Sequence, residues 1–320
     1  GLIPAEEVYR EMMGRVNSPS RVEAITKVLN DNFRFSKEKE RYADIKGIDF
    51  SLFRSLAQKV VDRILEIELK RGDSETQVTS LAEELSYVYG AKTFIGILQA
   101  FGKDTFIRDS YNWNNTKRGV LSSLLHACYP LPTDTSAQLK KLAKQAEISN
   151  ERLVEAAMFA PQWLELTEKA TGWKGLESAA YYFHAHTSEC FDDKKKAIIA
   201  RYTPIDIEDL QEGAFDISWF KEAYKTIGKE RFEVVYNAAK YISLSNTHTR
   251  ARKFADAVNG KTKAADAKKE IIAKRNKDLL MSYGLIPLGR KADKELLERY
   301  QFLQKFLKES KEFGAQRQES

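Results

Sequence analysis

The stretch Gly172–Cys190, GWKGLESAAYYFHAHTSEC, holds a Trp, two adjacent Tyr, a Phe, two His and a Cys within nineteen residues. Read as a helix, it places Leu176, Ala179, Ala180, Phe183, Thr187 and Cys190 within about 60° of one direction, which is a core stripe. His184 and His186 then point apart, because residues two apart on a helix lie on nearly opposite faces. A His-x-His pair chelates from a strand, where alternate residues share a face. His186 and Cys190 are four apart and can meet, but two ligands fall short of the three or four that zinc needs. His126 and Cys128 repeat the two-residue separation. A tertiary site joining His186, Cys190, His126 and Cys128 is the metal alternative, and the expectation is no metal and no cofactor. Free Cys is a commonly buried side chain without any metal.

Tyr181 and Tyr182 fall outside the stripe, where a solvated helix normally carries charge. Two readings follow. Either this is a central helix covered on two sides, or Tyr181, Tyr182 and His184 form an exposed aromatic ledge that contacts a partner protein. These three are the protein-contact candidates.

The same helical rhythm extends outward in both directions. Ser18-Pro19 suits a helix start, with Val22, Ile25, Val28 and Leu29 on one face. Leu52, Leu56, Val60, Ile64 and Ile67 form a longer stripe. Ser74 opens another expected helix, which carries Val78, Leu81, Leu85 and Val88 inward to Gly90. A short helix over 94–101 follows, then an irregular loop with a turn at Asn114-Asn115, then a helix from Thr116 to Cys128. Tyr129–Asp134, YPLPTD, breaks the pattern, because proline cannot continue a helix. Helices are expected near 134–147, 149–160, 161–171, 174–190, 192–202, 216–227, 229–243 and 246–258. Two longer ones are expected over 263–283 and 290–313, the last with an apolar stripe of Leu296, Tyr300, Leu303, Leu307 and Phe313. That stripe demands a partner surface.

The expected class is therefore all-α: irregular stacked helical hairpins in a HEAT- or armadillo-like superhelix, with longer C-terminal helices. No sustained repeat of fixed period identifies a named repeat family. The expected regions are an N-terminal helical one over 1–129, a short-helix stack over 133–258 and a basic long-helix region over 259–320.

Composition sets limits. Of 320 residues, 42% are apolar and 31% charged, so a core needs no disulfide or metal to hold it. Cys128 and Cys190 are the two cysteines, consistent with a reducing compartment. No apolar run reaches the roughly 20 residues that cross a bilayer, and no signal peptide is visible. The expected location is cytoplasmic. The chain starts at Gly1, which reads as a piece of a longer protein. Phosphate-loop, dinucleotide-fold, nucleophile-elbow and HExxH patterns are absent. The carboxylate pairs Glu83-Glu84, Asp192-Asp193 and Glu208-Asp209 read as solvated faces or helix starts.

Charge is uneven. Residues 250–320 carry +8 and residues 1–249 carry −2. Lys268, Lys269, Lys274, Arg275 and Lys277 crowd one expected helix and are the phosphate-binding candidates, through counterion release. No nucleic-acid-binding signature accompanies them.

Two stretches, Met158–Thr187 and Ser282–Ser320, resemble the large bacterial proteins that include the molybdate-metabolism-regulator-like (MolR-like) group and contain a domain of unknown function. The resemblance implies an internal helical region of a longer cytoplasmic protein with a regulatory setting. It transfers no catalytic residues. The leading expectation is a non-catalytic scaffold that binds a protein partner or a neighbouring domain of its own chain. The alternatives are a nucleic-acid or polyphosphate binder, or an enzyme using His184, His186 or His126 as acid–base groups.

Overall fold

A helix rich in aromatic residues needs cover, and the surrounding short helices supply it. The computed structural model describes residues 51–108, 115–187, 191–243 and 247–312. The stripe over Val22–Leu29, the Asn114 side of the expected turn and Cys190 lie outside them. Within them sixteen α-helices occur: α1 (Ser51–Glu68), α2 (Thr79–Glu83), α3 (Ala91–Phe101), α4 (Lys117–His126), α5 (Ser136–Gln145), α6 (Asn150–Phe159), α7 (Leu164–Thr171), α8 (Leu176–Ala185), α9 (Asp193–Ile199), α10 (Ile207–Glu212), α11 (Ile217–Ile227), α12 (Lys229–Ala238), α13 (His248–Val258), α14 (Ala264–Lys274), α15 (Lys277–Leu285) and α16 (Ala292–Ser310). The protein is an all-α stack of short helices.

Local chemistry sets many of the boundaries. Thr116, Thr135, Ser149, Asp192, Asp216 and Asn276 each accept a backbone N–H from the first turn of the helix they precede. Such caps satisfy donors that the helix cannot satisfy itself. Pro161 opens a single 3-10 turn, Pro161–Trp163, that leads into α7. Gly172 closes α7 and Gly175 precedes α8, both in the left-handed region. At Gly175 a Cβ would lie 2.9 Å from Thr226 Cγ2, so both backbone and space demand glycine there.

One apolar core runs from Val60 to Val258, continuous across the Tyr129–Asp134 break. There Asp134 Oδ2 accepts from the Ala91 and Leu131 N–H groups at 2.9 and 2.8 Å. At the core's centre is α8, packed against α7, α9, α10, α11, α12 and α13. A second, smaller cluster joins Ala257, Ala267, Ile271, Leu279, Tyr283, Ile286, Phe302 and Phe306.

Three departures from expectation have physical causes. The helix expected from Ser74 to Val88 is only the short α2; Val88–Tyr89 instead pairs in parallel with Cys128–Tyr129. The run Tyr87-Val88-Tyr89 favours extended backbone. The helix expected over 263–283 is two, α14 and α15, because Arg275 takes a φ of 44° and Asn276 caps the second. The helix α10 was not foreseen; its brevity leaves too little periodicity to read.

Candidate functional site

The aromatic residues of α8 are interior. Tyr181, Tyr182 and His184 are 3%, 1% and 2% exposed. The ledge expected from them is therefore not a surface feature, and the covered-helix reading describes them. The Tyr182 hydroxyl donates to the Ala251 carbonyl at 2.8 Å, and its ring meets Phe215, Trp219 and Phe220. His186 Nδ1 lies 2.7 Å from the Tyr182 carbonyl, and its ring touches Phe215 and Phe254. Nε2 of both His184 and His186 closes no hydrogen bond of ordinary geometry. Burial lowers His184 well below the ordinary histidine value and takes His186 down to about 4, so both rings stay neutral at pH 7.

These positions do not suit acid–base work, because substrate and water are sealed off. His126 lies at the surface at the end of α4. Cys128 is buried, and burial raises its thiol far above the ordinary range. Its carbonyl accepts from Trp163 Nε1 at 2.7 Å and Gln162 Nε2 at 2.8 Å. Among the described residues no three His, Cys, Asp or Glu side chains group as a metal site. Glu68 and Arg71, both fully buried, pair at 2.5 Å and are joined by Thr79. That network ties α1 to α2.

The basic candidates do not form one stripe, because the αL residue Arg275 breaks the helix that was to carry them. Lys274 pairs with Glu270 at 2.5 Å. Arg275 is buried, with its guanidinium 4.0 Å from the Phe306 ring centroid and bonded to Ser310 Oγ. Lys268 lies over Phe302 at 4.9 Å. Lys269 and Lys277 are exposed. Asp278, on the same stretch, pairs with Arg250 at 2.7 Å.

The open feature is on α16. Arg299, Phe302, Phe306 and Ser310 face inward. Leu296, Tyr300 and Leu307 are 56%, 59% and 58% exposed, with Leu297 and Leu303 also exposed beside them. The stripe read from sequence is thus present over Leu296–Leu307, Phe313 lying outside the described residues, but it is a second apolar face, and the helix docks on its own body through a neighbouring one. The sequence carried the spacing of Leu296, Tyr300, Leu303 and Leu307; Leu297 was missed because it lies at the edge of that line. Glu295 and Arg299, one turn apart, pair at 2.5 Å.

Beside α16 an open cleft of about 600 Å³ is lined by Lys268, Tyr283, Arg290, Lys291, Lys294, Glu295, Glu298 and Arg299, among others. Four of these basic residues, Arg290, Lys291, Lys294 and Arg299, were missed as site residues. The run GRKADK at the head of the helix was the signal of the first three.

The described residues thus form an all-α stack of short helices, with an exposed apolar face and a basic cleft on the last of them. Residues 1–320 match the family of unknown function DUF5724, and the chain belongs to it. No curated protein and no solved structure matches it. None of the described helices is long and apolar enough to cross a membrane.

Proposed function

We propose that this chain is a non-catalytic interaction region of a larger cytoplasmic bacterial protein, of the MolR-like regulatory kind, and that it binds one helix of another protein or of a neighbouring domain along α16. The exposed stripe Leu296, Tyr300, Leu303 and Leu307 carries the reading. Its 4-3-4 spacing keeps four large side chains on one line for about 16 Å of helix, the arrangement a second helix meets. Protein monomers rarely leave such contiguous apolar area bare without a use for it. Lys294, Lys305 and Lys308 lie on the polar side of the same helix, so an acidic flank on the incoming helix is favoured.

The test is crosslinking from these lysines in cells that make the protein, comparing the parent with Tyr300→Glu/Leu303→Glu. Crosslinks to one protein helix that vanish in the variant, with an unchanged circular dichroism spectrum, support the proposal. Identical crosslinks in parent and variant overturn it.

A further inference from the structure

We infer that the cleft between α14 and α16 is a binding site for a compact phosphate polyanion, two or three linked phosphoryl groups, either free or as the tail of a nucleotide. Five cationic side chains line it against two carboxylates. One of those carboxylates is already engaged: Glu295 accepts from Arg299 at 2.5 Å and from the Gly289 N–H at 2.7 Å. The other, Glu298, reaches Lys294 only at 3.8 Å. Among the described residues no carboxylate pairs with Lys268, Arg290 or Lys291.

These are not interchangeable surface charges. Lys268 is positioned by the Phe302 ring. Arg299 is 5% exposed and is fixed by the carbonyls of Tyr283, Ile286 and Pro287, yet its Nε has no hydrogen-bond partner. A cation held at a buried cleft wall attracts an anion more strongly than one in bulk water, because the field is less screened. The start of α16 adds to this: no side chain caps it, and Lys291 just before it and Lys294 in its first turn line the cleft, outnumbering the one first-turn carboxylate in the lining, Glu295, while Asp293 of the same turn is not part of that lining. First-turn N–H groups and the helix dipole favour phosphate oxygens. Lys and Arg at several angles around one opening suit a ligand with charge on successive groups, where a single carboxylate leaves most of them unused.

The experiment titrates tripolyphosphate, ATP and mixed-sequence duplex DNA into the full chain by calorimetry at low salt, with thermal unfolding alongside. Lys268→Gln/Lys291→Gln and Arg290→Gln/Lys291→Gln are the cleft variants; the second pair touches no core residue. Lys305→Gln/Lys308→Gln removes equal charge from α16 outside the cleft. Tripolyphosphate and ATP are expected to bind alike and raise the unfolding temperature, with affinity falling about tenfold or more in both cleft variants and little in the control. Absence of binding overturns the site. So does equal weakening in the control, which assigns the attraction to general charge. ATP binding without tripolyphosphate binding overturns recognition through phosphate. DNA binding that tripolyphosphate cannot displace does the same. None of these outcomes depends on whether α16 docks a protein helix.

Discussion

His186 and His184 each hold a neutral ring in an aromatic interior, and that has a pH signature. Their folded values lie below the ordinary 6.5, so the unfolded chain binds more protons once the pH falls below that value. Stability from this source is complete above pH 6.5 and declines as the pH falls toward about 4. The His186 ring is expected to cost roughly 1–2 kcal/mol between pH 7 and pH 5, and His184 to act in the same direction. Urea midpoints at those two pH values measure it, and His184→Gln/His186→Gln should flatten the difference. Gly175 offers a second test at this scale. With φ at +85° and Thr226 Cγ2 2.9 Å from a would-be Cβ, Gly175→Ala should destabilise by about 1–3 kcal/mol, seen as a lower urea midpoint. The sequence reading did not single out this glycine, because the nearness of Thr226 is tertiary and unreadable from a single chain. The same holds for Tyr181, Tyr182 and His184. Their angular position was legible, whereas their cover by α10, α11 and α13 was not.

Two apolar faces on one helix make α16 unusual among the elements. Phe302 and Phe306 fill the small C-terminal cluster, while Tyr300 and Leu303 face outward. Substitutions on the two faces should therefore separate cleanly. Tyr300→Glu/Leu303→Glu is expected to shift stability by no more than about 0.5 kcal/mol per site, and Phe302→Ala to cost about 3 kcal/mol. Chemical denaturation of the three proteins distinguishes them. Periodicity revealed the outer face first because Leu and Tyr repeat there without interruption. The inner face was hidden by Arg299, a charged residue that lies inside only because three backbone carbonyls and Glu295 receive it. The split between α14 and α15 was hidden for a similar reason. Arg and Asn are both acceptable inside a helical pattern, and the αL turn at Arg275 is secured by Phe306 and Ser310, some thirty residues on.

At the scale of the molecule, two clusters of unequal size share one chain. The larger encloses α8; the smaller rests on α14, α15 and α16 and meets the first through Ala257 and the packing of α13 on α15. Local opening follows buried apolar contact, so hydrogen exchange in α14–α16 should proceed at lower denaturant than exchange in α8. Phe302→Ala should widen that gap, and equal loss of protection in both regions would show that the clusters open as one unit. The helical class was legible throughout, since a periodic pattern repeats many times over. The closing of helices from both sides around α8 was not, because nothing in a local window says which two amphipathic faces meet.

That closure has a consequence for how the protein is made. The partners of α8 that follow it in the chain end at Val258. A ribosome adding about 5–20 residues each second needs roughly 4–15 s to pass from Ala185 to that point. Until that point is passed, the cover on Tyr182, Phe183 and His186, supplied in turn by α9 to α13, stays incomplete. A nascent chain still short of Val258 is therefore expected to expose part of this aromatic surface, and to hide it only at one definable stage of synthesis.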